Sequence, residues 1–194
     1  MNIMTLNIRG MNDTHKVDWL KSLKKEHKFT FCCLQESRLS MPPSDICNWW
    51  GNMEVSFDYI NSIGQSGGII SFWDTSVFQA TTVIKNQSFL AIAGNWHGVL
   101  GETIVVNVYA PQAPAEKRIV WDRITNLMNS RQGTWIVLGD FNAVRRPDER
   151  FNSNFCPRTA TDFNKFILRS GLIDLKMAGQ EGFSKNSDLI YGKF

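Results

Sequence analysis

Apolar residues in this chain fall mainly into short runs separated by turn residues, and only a few stretches carry a helical period. Asn2–Asn7 reads as a strand, and Asp13–Lys25 as a helix with Val17, Leu20 and Leu23 on one side. Asn12 and Asp13 are suited to cap that helix. Phe29–Gln35 is apolar throughout and short enough for a buried strand. A loop with Pro42, Pro43 and the Trp49–Trp50 pair follows. The β-like runs Glu54–Ile60, Gly68–Trp73, Ala80–Ile84, Phe89–Trp96 and Thr103–Tyr109 come next. Glu116–Ser130 has a helical period, Trp135–Gly139 is another buried-strand candidate, Ala160–Ser170 reads as a helix and Leu172–Leu175 as a short strand. Gly182 to Phe194 has weak patterning and reads as loop or frayed end.

Many strands with interspersed helices predict a mixed α/β layered domain. Neither a repeat nor a linker divides the chain, so residues 1–194 read as one domain.

Composition narrows the class. Hydrophobic residues make up 43% and charged residues 20%, as in a globular protein with a core. No run has the apolar length of a membrane span, and Met1 to Asn12 lacks the pattern of a secretory signal. The expected location is intracellular. The four cysteines have no zinc-ligand spacing and read as buried free thiols; Cys32 and Cys33, adjacent on a strand, would face opposite sides. A net charge of +3 is compatible with a polyanionic partner without arguing for one. Lys21, Lys24, Lys25 and Lys28 read as a solvated helix face.

The candidate chemistry sits at strand ends. Gly139-Asp140-Phe141-Asn142 follows the apolar run Trp135–Leu138, which delivers a carboxylate to a sheet rim. In an extended segment Asp140 and Asn142 would face one point, with Phe141 turned into the core. An Asx-type turn, in which Asp and Asn satisfy their own backbone, accounts for the motif equally well. Glu36 follows Phe29–Gln35, Asn7 closes the first strand and Tyr109 closes another. A sparse set of Glu36, Asn7 and Asp140 suits Mg²⁺, which takes one or two carboxylates and completes its octahedron with water and substrate phosphate. Gly64-Gln65-Ser66-Gly67-Gly68 matches a nucleophile elbow, but the β-like run after it favours a glycine turn that opens a strand.

These motifs carry a resemblance. Leu6-Asn7-Ile8-Arg9-Gly10, Gln35-Glu36-Ser37, Gly67-Gly68 with Trp73, Val108-Tyr109-Ala110-Pro111 and Gly139-Asp140-Phe141-Asn142 occur in this order. Together they resemble the endonuclease/exonuclease/phosphatase superfamily, and most of all the endonuclease domain of plant LINE-type (non-LTR) retrotransposons, over residues 2 to about 175. The resemblance implies two β-sheets packed as a sandwich and flanked by helices, with the site at one edge. It implies Glu36 as main metal ligand, Asn7 near metal and phosphate, and Asp140 and Asn142 orienting the nucleophile and scissile phosphate. Tyr109 would contact phosphate or relay a proton. The implied reaction is Mg²⁺-dependent (or Mn²⁺-dependent) phosphodiester hydrolysis in DNA, located in the nucleus if a retroelement role is retained.

One departure tempers this. Family members close with a Ser-Asp-His-type segment, whereas His15, His27 and His97 all precede Asp140. The domain is therefore expected to lack its last strands and to cut DNA poorly, since losing a general base costs about 10²–10⁴-fold. Two alternatives stay open: a retroelement remnant that binds nucleic acid or protein, and a phosphatase-type member. Arg145, Arg146, Arg150 and Arg158 form a basic loop that could follow a nucleic-acid backbone or be simply solvated.

Overall fold

The structure, a computed structural model, describes residues 1–11, 13–51, 54–64, 66–149, 154–175 and 188–193. Two mixed sheets pack face to face and helices cover their outer faces. The first sheet has strand order β1-β2-β4-β3, from β1 (Ile3–Asn7), β2 (Phe31–Gln35), β3 (Val55–Ile63) and β4 (Ser66–Asp74). The second has order β5-β6-β7-β8-β10-β9, from β5 (Phe78–Asn86), β6 (Phe89–Trp96), β7 (Glu102–Tyr109), β8 (Thr134–Asp140), β9 (Ile173–Asp174) and β10 (Asp188–Lys193). Within them β1 runs parallel to β2 and β7 to β8. Each parallel pair is joined by a helix, α1 (Thr14–His27) and α2 (Pro114–Ser130), as parallel pairing requires. The third helix, α3, covers Pro157–Ser170.

Strand alternation distributes the core into three layers. Phe31, Cys33, Ile69 and Trp73 of the first sheet meet Leu90, Ile92, Val105, Ile136 and Leu138 of the second. On the outer face of the first sheet, Cys32, Leu34, Ile70 and Phe72 pack with Leu20 of α1 and with Trp49 and Trp50. On the outer face of the second, Val106, Val108 and Val137 pack with Val120, Trp121 and Ile124 of α2 and with Phe163 and Phe166 of α3. β2 is buried on both faces, which is why it reads as an unbroken apolar run rather than an alternating one.

Several expectations need correction. Part of the stretch read as loop or frayed end forms β10, which pairs antiparallel with β8; its weak alternation hid a strand that tertiary pairing supports. Helices α2 and α3 begin earlier than their apolar periods, at Pro114 and Pro157, because proline fits the first helical turn. Cys32 and Cys33 are buried on opposite faces as expected, but Cys47 and Cys156 are exposed. Lys24 is no solvated charge: it donates to the Trp50 carbonyl at 3.0 Å and lies 4.1 Å above the Trp50 ring, where burial lowers its pKa. Asp13 caps α1 by accepting from the His15 N–H; Asn12 lies outside the described residues. Ser66 starts β4 with no helix behind it, so the glycine-turn reading of that segment holds.

Candidate active site at the sandwich edge

The parallel strands β1 and β2 end side by side, with Asn7 opposite Gln35. Across the sandwich β7 and β8 also end side by side, with Tyr109 opposite Asp140. Asn7, Gln35, Tyr109 and Asp140 share the alternation of residues such as Ile3, Phe31, Val105 and Ile136, which belong to the core between the sheets.

Glu36 reaches the same place by breaking the alternation. A plain continuation of β2 would send it to the opposite face from Gln35. Its φ of 53° instead turns the backbone into the left-handed region, a strained state for a glutamate. The surrounding chain holds that turn: Gly10 N–H donates to the Glu36 carbonyl at 2.6 Å, and Ser37 and Arg38 N–H groups donate to Gly68 and Gly67 carbonyls, each at 3.0 Å. This contact explains Gly68, while Gly67 has the room for a side chain but a φ of 80°. A Cβ at Gly68 would come within 2.3 Å of Ser37 Oγ.

Side chains from both sheets then converge. Asn7 Nδ2 donates to Glu36 Oε1 at 2.9 Å and to Asp140 Oδ2 at 2.8 Å. The two carboxylates thus lie within two hydrogen-bond lengths of each other. Asp140 is only 6% exposed, and its other oxygen accepts the Asn142 N–H at 2.9 Å. The Tyr109 phenol faces the Glu36 carboxylate. Burial first, then the negative charges of Glu36 and Asp140, push its pKa up to about 12, with Arg38 opposing. Tyr109 is therefore a neutral O–H donor over the physiological range.

Asn142 adopts the turn rather than the extended geometry. It has φ 48°, and its N–H bond to Asp140 closes an Asx turn, while Phe141 is fully buried against Phe163. Of the two readings of the Gly-Asp-Phe-Asn motif, the Asx turn is the one the backbone adopts, and the extended geometry is not. Asn142 Nδ2 donates to the Ala110 carbonyl at 2.7 Å, and its Oδ1 accepts from Gln112 at 2.7 Å. Lys117, a buried residue of α2, donates to the Asn142 carbonyl at 2.5 Å.

Several contributors escaped the sequence reading: Gln112, Lys117, Arg38 and the inward amides Gln35 and Asn107. Arg38 approaches Glu36 Oε2 at 3.4 Å and stays half exposed. A lysine on the apolar side of α2 and an amide amid the valines of β7 were the available signals. The basic loop is less free than expected. Arg145 bonds Asn164 and Asp174, and Arg146 pairs with Asp148 and Glu149; Arg158 is exposed and Arg150 lies outside the described residues. His27 and His97 sit at the strand ends remote from the site: His27 accepts from Asn2 at the start of β1, and His97 follows the end of β6 that pairs with Glu102 rather than with Val108. His15 is exposed in the first turn of α1.

The donor set can be tested against a cation. Among the described residues no three His, Cys, Asp or Glu side chains gather as a metal cage. Two convergent carboxylates suit a magnesium ion that keeps much of its water. Asn7 now turns its nitrogen to the carboxylates, and its Oδ1 accepts the Arg9 N–H at 3.2 Å. To offer oxygen to a cation, its amide must turn over.

The same architecture occurs in solved structures. The chain superposes on the AP endonuclease LMAP of Leishmania major with a TM-score of 0.73 at 14% identity, covering 98% of this chain and 78% of that one. An AP endonuclease of Archaeoglobus fulgidus matches with a TM-score of 0.73 at 15% identity, covering 99% and 86%. The 3' phosphatase NExo from Neisseria, bound to a product DNA hairpin, matches with 0.69 at 14%, covering 98% and 86%. At such identities the likeness is one of fold. The family model for the Endonuclease/Exonuclease/phosphatase family matches residues 4–174, a span that takes in every strand end meeting at Asn7, Glu36, Tyr109 and Asp140. With that match over most of its length, the chain belongs to the endonuclease/exonuclease/phosphatase family.

Proposed function

We propose that this chain is a Mg²⁺-dependent phosphodiesterase acting on DNA, a nicking endonuclease of the retroelement type. The observation that carries the reading is the single Asn7 amide bonded to both Glu36 and Asp140, which brings two carboxylates from two sheets to one point. Glu36 and Asp140, with Asn7 turned over, would hold Mg²⁺ (or Mn²⁺), which on binding would offset charge on a phosphoryl group and favour deprotonation of an attacking water.

The protein groups divide the remaining tasks. Asp140, with one oxygen held by the Asn142 N–H, would orient a water. Tyr109, kept neutral by burial and Glu36, donates a hydrogen bond to a phosphate oxygen. Asn142 is clamped by Ala110, Gln112 and Lys117 and offers a rigid polar contact on the other side. Arg9 and Arg38, exposed at the rim, meet the phosphate backbone. A DNA substrate is supported by the hairpin bound to the Neisseria structure, and the retroelement type by the order of the motifs.

Plasmid nicking with stoichiometric protein tests the proposal. Accumulation of nicked circles that needs Mg²⁺ and stops with Glu36→Ala supports it. No nicking, or nicking that survives Glu36→Ala, overturns it.

A further inference from the structure

Bordering the site, with Gln35 level with Asn7 and Asn107 one inward-facing position back from Tyr109, two amides face each other across the sheets. Gln35 Nε2 donates to Asn107 Oδ1 at 2.6 Å, and both residues are 0% exposed. Gln35 also donates to Thr5 Oγ1 at 3.0 Å and to the Cys33 carbonyl at 3.2 Å. Asn107 Nδ2 donates to the Ile70 carbonyl at 3.0 Å, to Ser71 Oγ at 3.1 Å and to the Leu34 carbonyl at 3.4 Å. An amide of the second sheet thus grips β2 and β4 of the first.

The placement relates to every convergent side chain. Gln35 precedes Glu36 and lies opposite Asn7 in the β1–β2 register. Asn107 stands two residues before Tyr109 and opposite Leu138, itself two before Asp140. One amide therefore belongs to the Asn7–Glu36 half of the site and the other to the Tyr109–Asp140 half.

Stability alone does not account for the pair. Buried amides must recover every bond they made with water, and Gln35 Oε1 is buried without a partner. Apolar residues of similar volume at both positions would avoid that cost. Apolar packing, however, is non-directional, and the layer of Phe31, Cys33, Val105 and Leu138 supplies no directional bond between the sheets. A misplacement of about 1 Å at a reacting centre costs on the order of 10²-fold in rate. Directional bonds across the sheets resist such a misplacement.

We propose that Gln35 and Asn107 are a positioning pair that holds the Asn7–Glu36 half of the site in register with the Tyr109–Asp140 half. The inference rests on the cation reading given above, and its test is chosen to separate the two. Wild type, Glu36→Ala and the double variant Gln35→Met with Asn107→Leu are compared for Mn²⁺ affinity by electron paramagnetic resonance, for melting temperature, and for kcat and KM in nicking. Replacing both partners leaves no lone amide but takes a donor from Thr5 and Ser71, so the melting temperature of the double variant serves as the control for folding. Its Mn²⁺ affinity falls about tenfold or more, and kcat falls by a larger factor than KM rises. If the double variant does not fold, Ser71→Ala removes one acceptor of Asn107, and a smaller loss of Mn²⁺ affinity is expected. Unchanged affinity in the folded variant overturns the pair's role. Wild-type protein that binds no Mn²⁺, or binding that survives Glu36→Ala, overturns the cation reading and the pair with it.

Discussion

Asn7 Nδ2 and Asp140 Oδ2 meet at 2.8 Å although 133 positions separate them in sequence. The bond joins the end of β1 in one sheet to the end of β8 in the other, and the same nitrogen serves Glu36. Replacing it with a third carboxylate is therefore revealing. Asn7→Asp is expected to melt lower than wild type in EDTA, because three like charges share one small space. Mg²⁺ should then raise its melting temperature by more than it raises that of wild type, since a ligand held more tightly by the folded state stabilises it more. Equal Mg²⁺ shifts in the two proteins would count against a cation at this point.

Glu36 is held at φ 53° beside a second carboxylate. Glycine accepts that backbone state without strain, which for other residues costs about 1–3 kcal/mol. Glu36→Gly is expected to melt higher than wild type while losing Mg²⁺-dependent nicking. A variant that melts several degrees lower would show that Glu36's bonds outweigh its strain.

The Tyr109 phenol should ionise only near pH 12. Its folded-state pKa is raised above the ordinary tyrosine value of about 10, so the stabilisation linked to it is complete below pH 10 and is lost as pH rises from there through 12. Difference titration of phenolate absorbance, wild type minus Tyr109→Phe, isolates this group. In Glu36→Gln the midpoint should move down, because a negative charge near the phenol is gone, yet stay above the ordinary value because burial is the largest cause. A midpoint near 10 in wild type would refute the assigned environment.

Gly139 pairs with Val108 at φ 126°, and a Cβ there would lie 2.1 Å from the Val108 carbonyl oxygen and 2.8 Å from its nitrogen. Both obstacles are backbone atoms of the β7–β8 ladder and cannot rotate away. Gly139→Ala is expected to lose on the order of 3 kcal/mol in urea unfolding and to spoil the register that sets Tyr109 opposite Asp140. A loss below about 1 kcal/mol would mean that the ladder gives way more easily than the close approach implies.

Strands with a clear apolar character were readable without coordinates. β2, β6 and β7 appear close to their observed limits because each places a continuous or alternating apolar set in a core. β10 was not readable, since its place depends on pairing with β8 and β9 rather than on its own pattern. The candidate residues Asn7, Glu36, Tyr109 and Asp140 were identifiable from their position at strand ends. Asn142 was identifiable too, although by the wrong geometry: alternation suggested extended backbone where a left-handed residue closes a turn. Lys117 and the Gln35–Asn107 pair were missed because a polar side chain in an apolar run reads as an exception until its partner, tens of residues away, is known.

By itself the order of residues determined most of the strands, which groups stand at their ends and which family motifs they spell, since alternation, turn chemistry and motif spacing are local properties. Only the tertiary structure decided that Asn7, Glu36, Tyr109 and Asp140 face one another, that Glu36 leaves its strand's alternation to do so, and that two buried amides tie the halves together. Those relations depend on how one twisted sheet lies over another, and that is set by long-range packing and directional bonds that no local window contains.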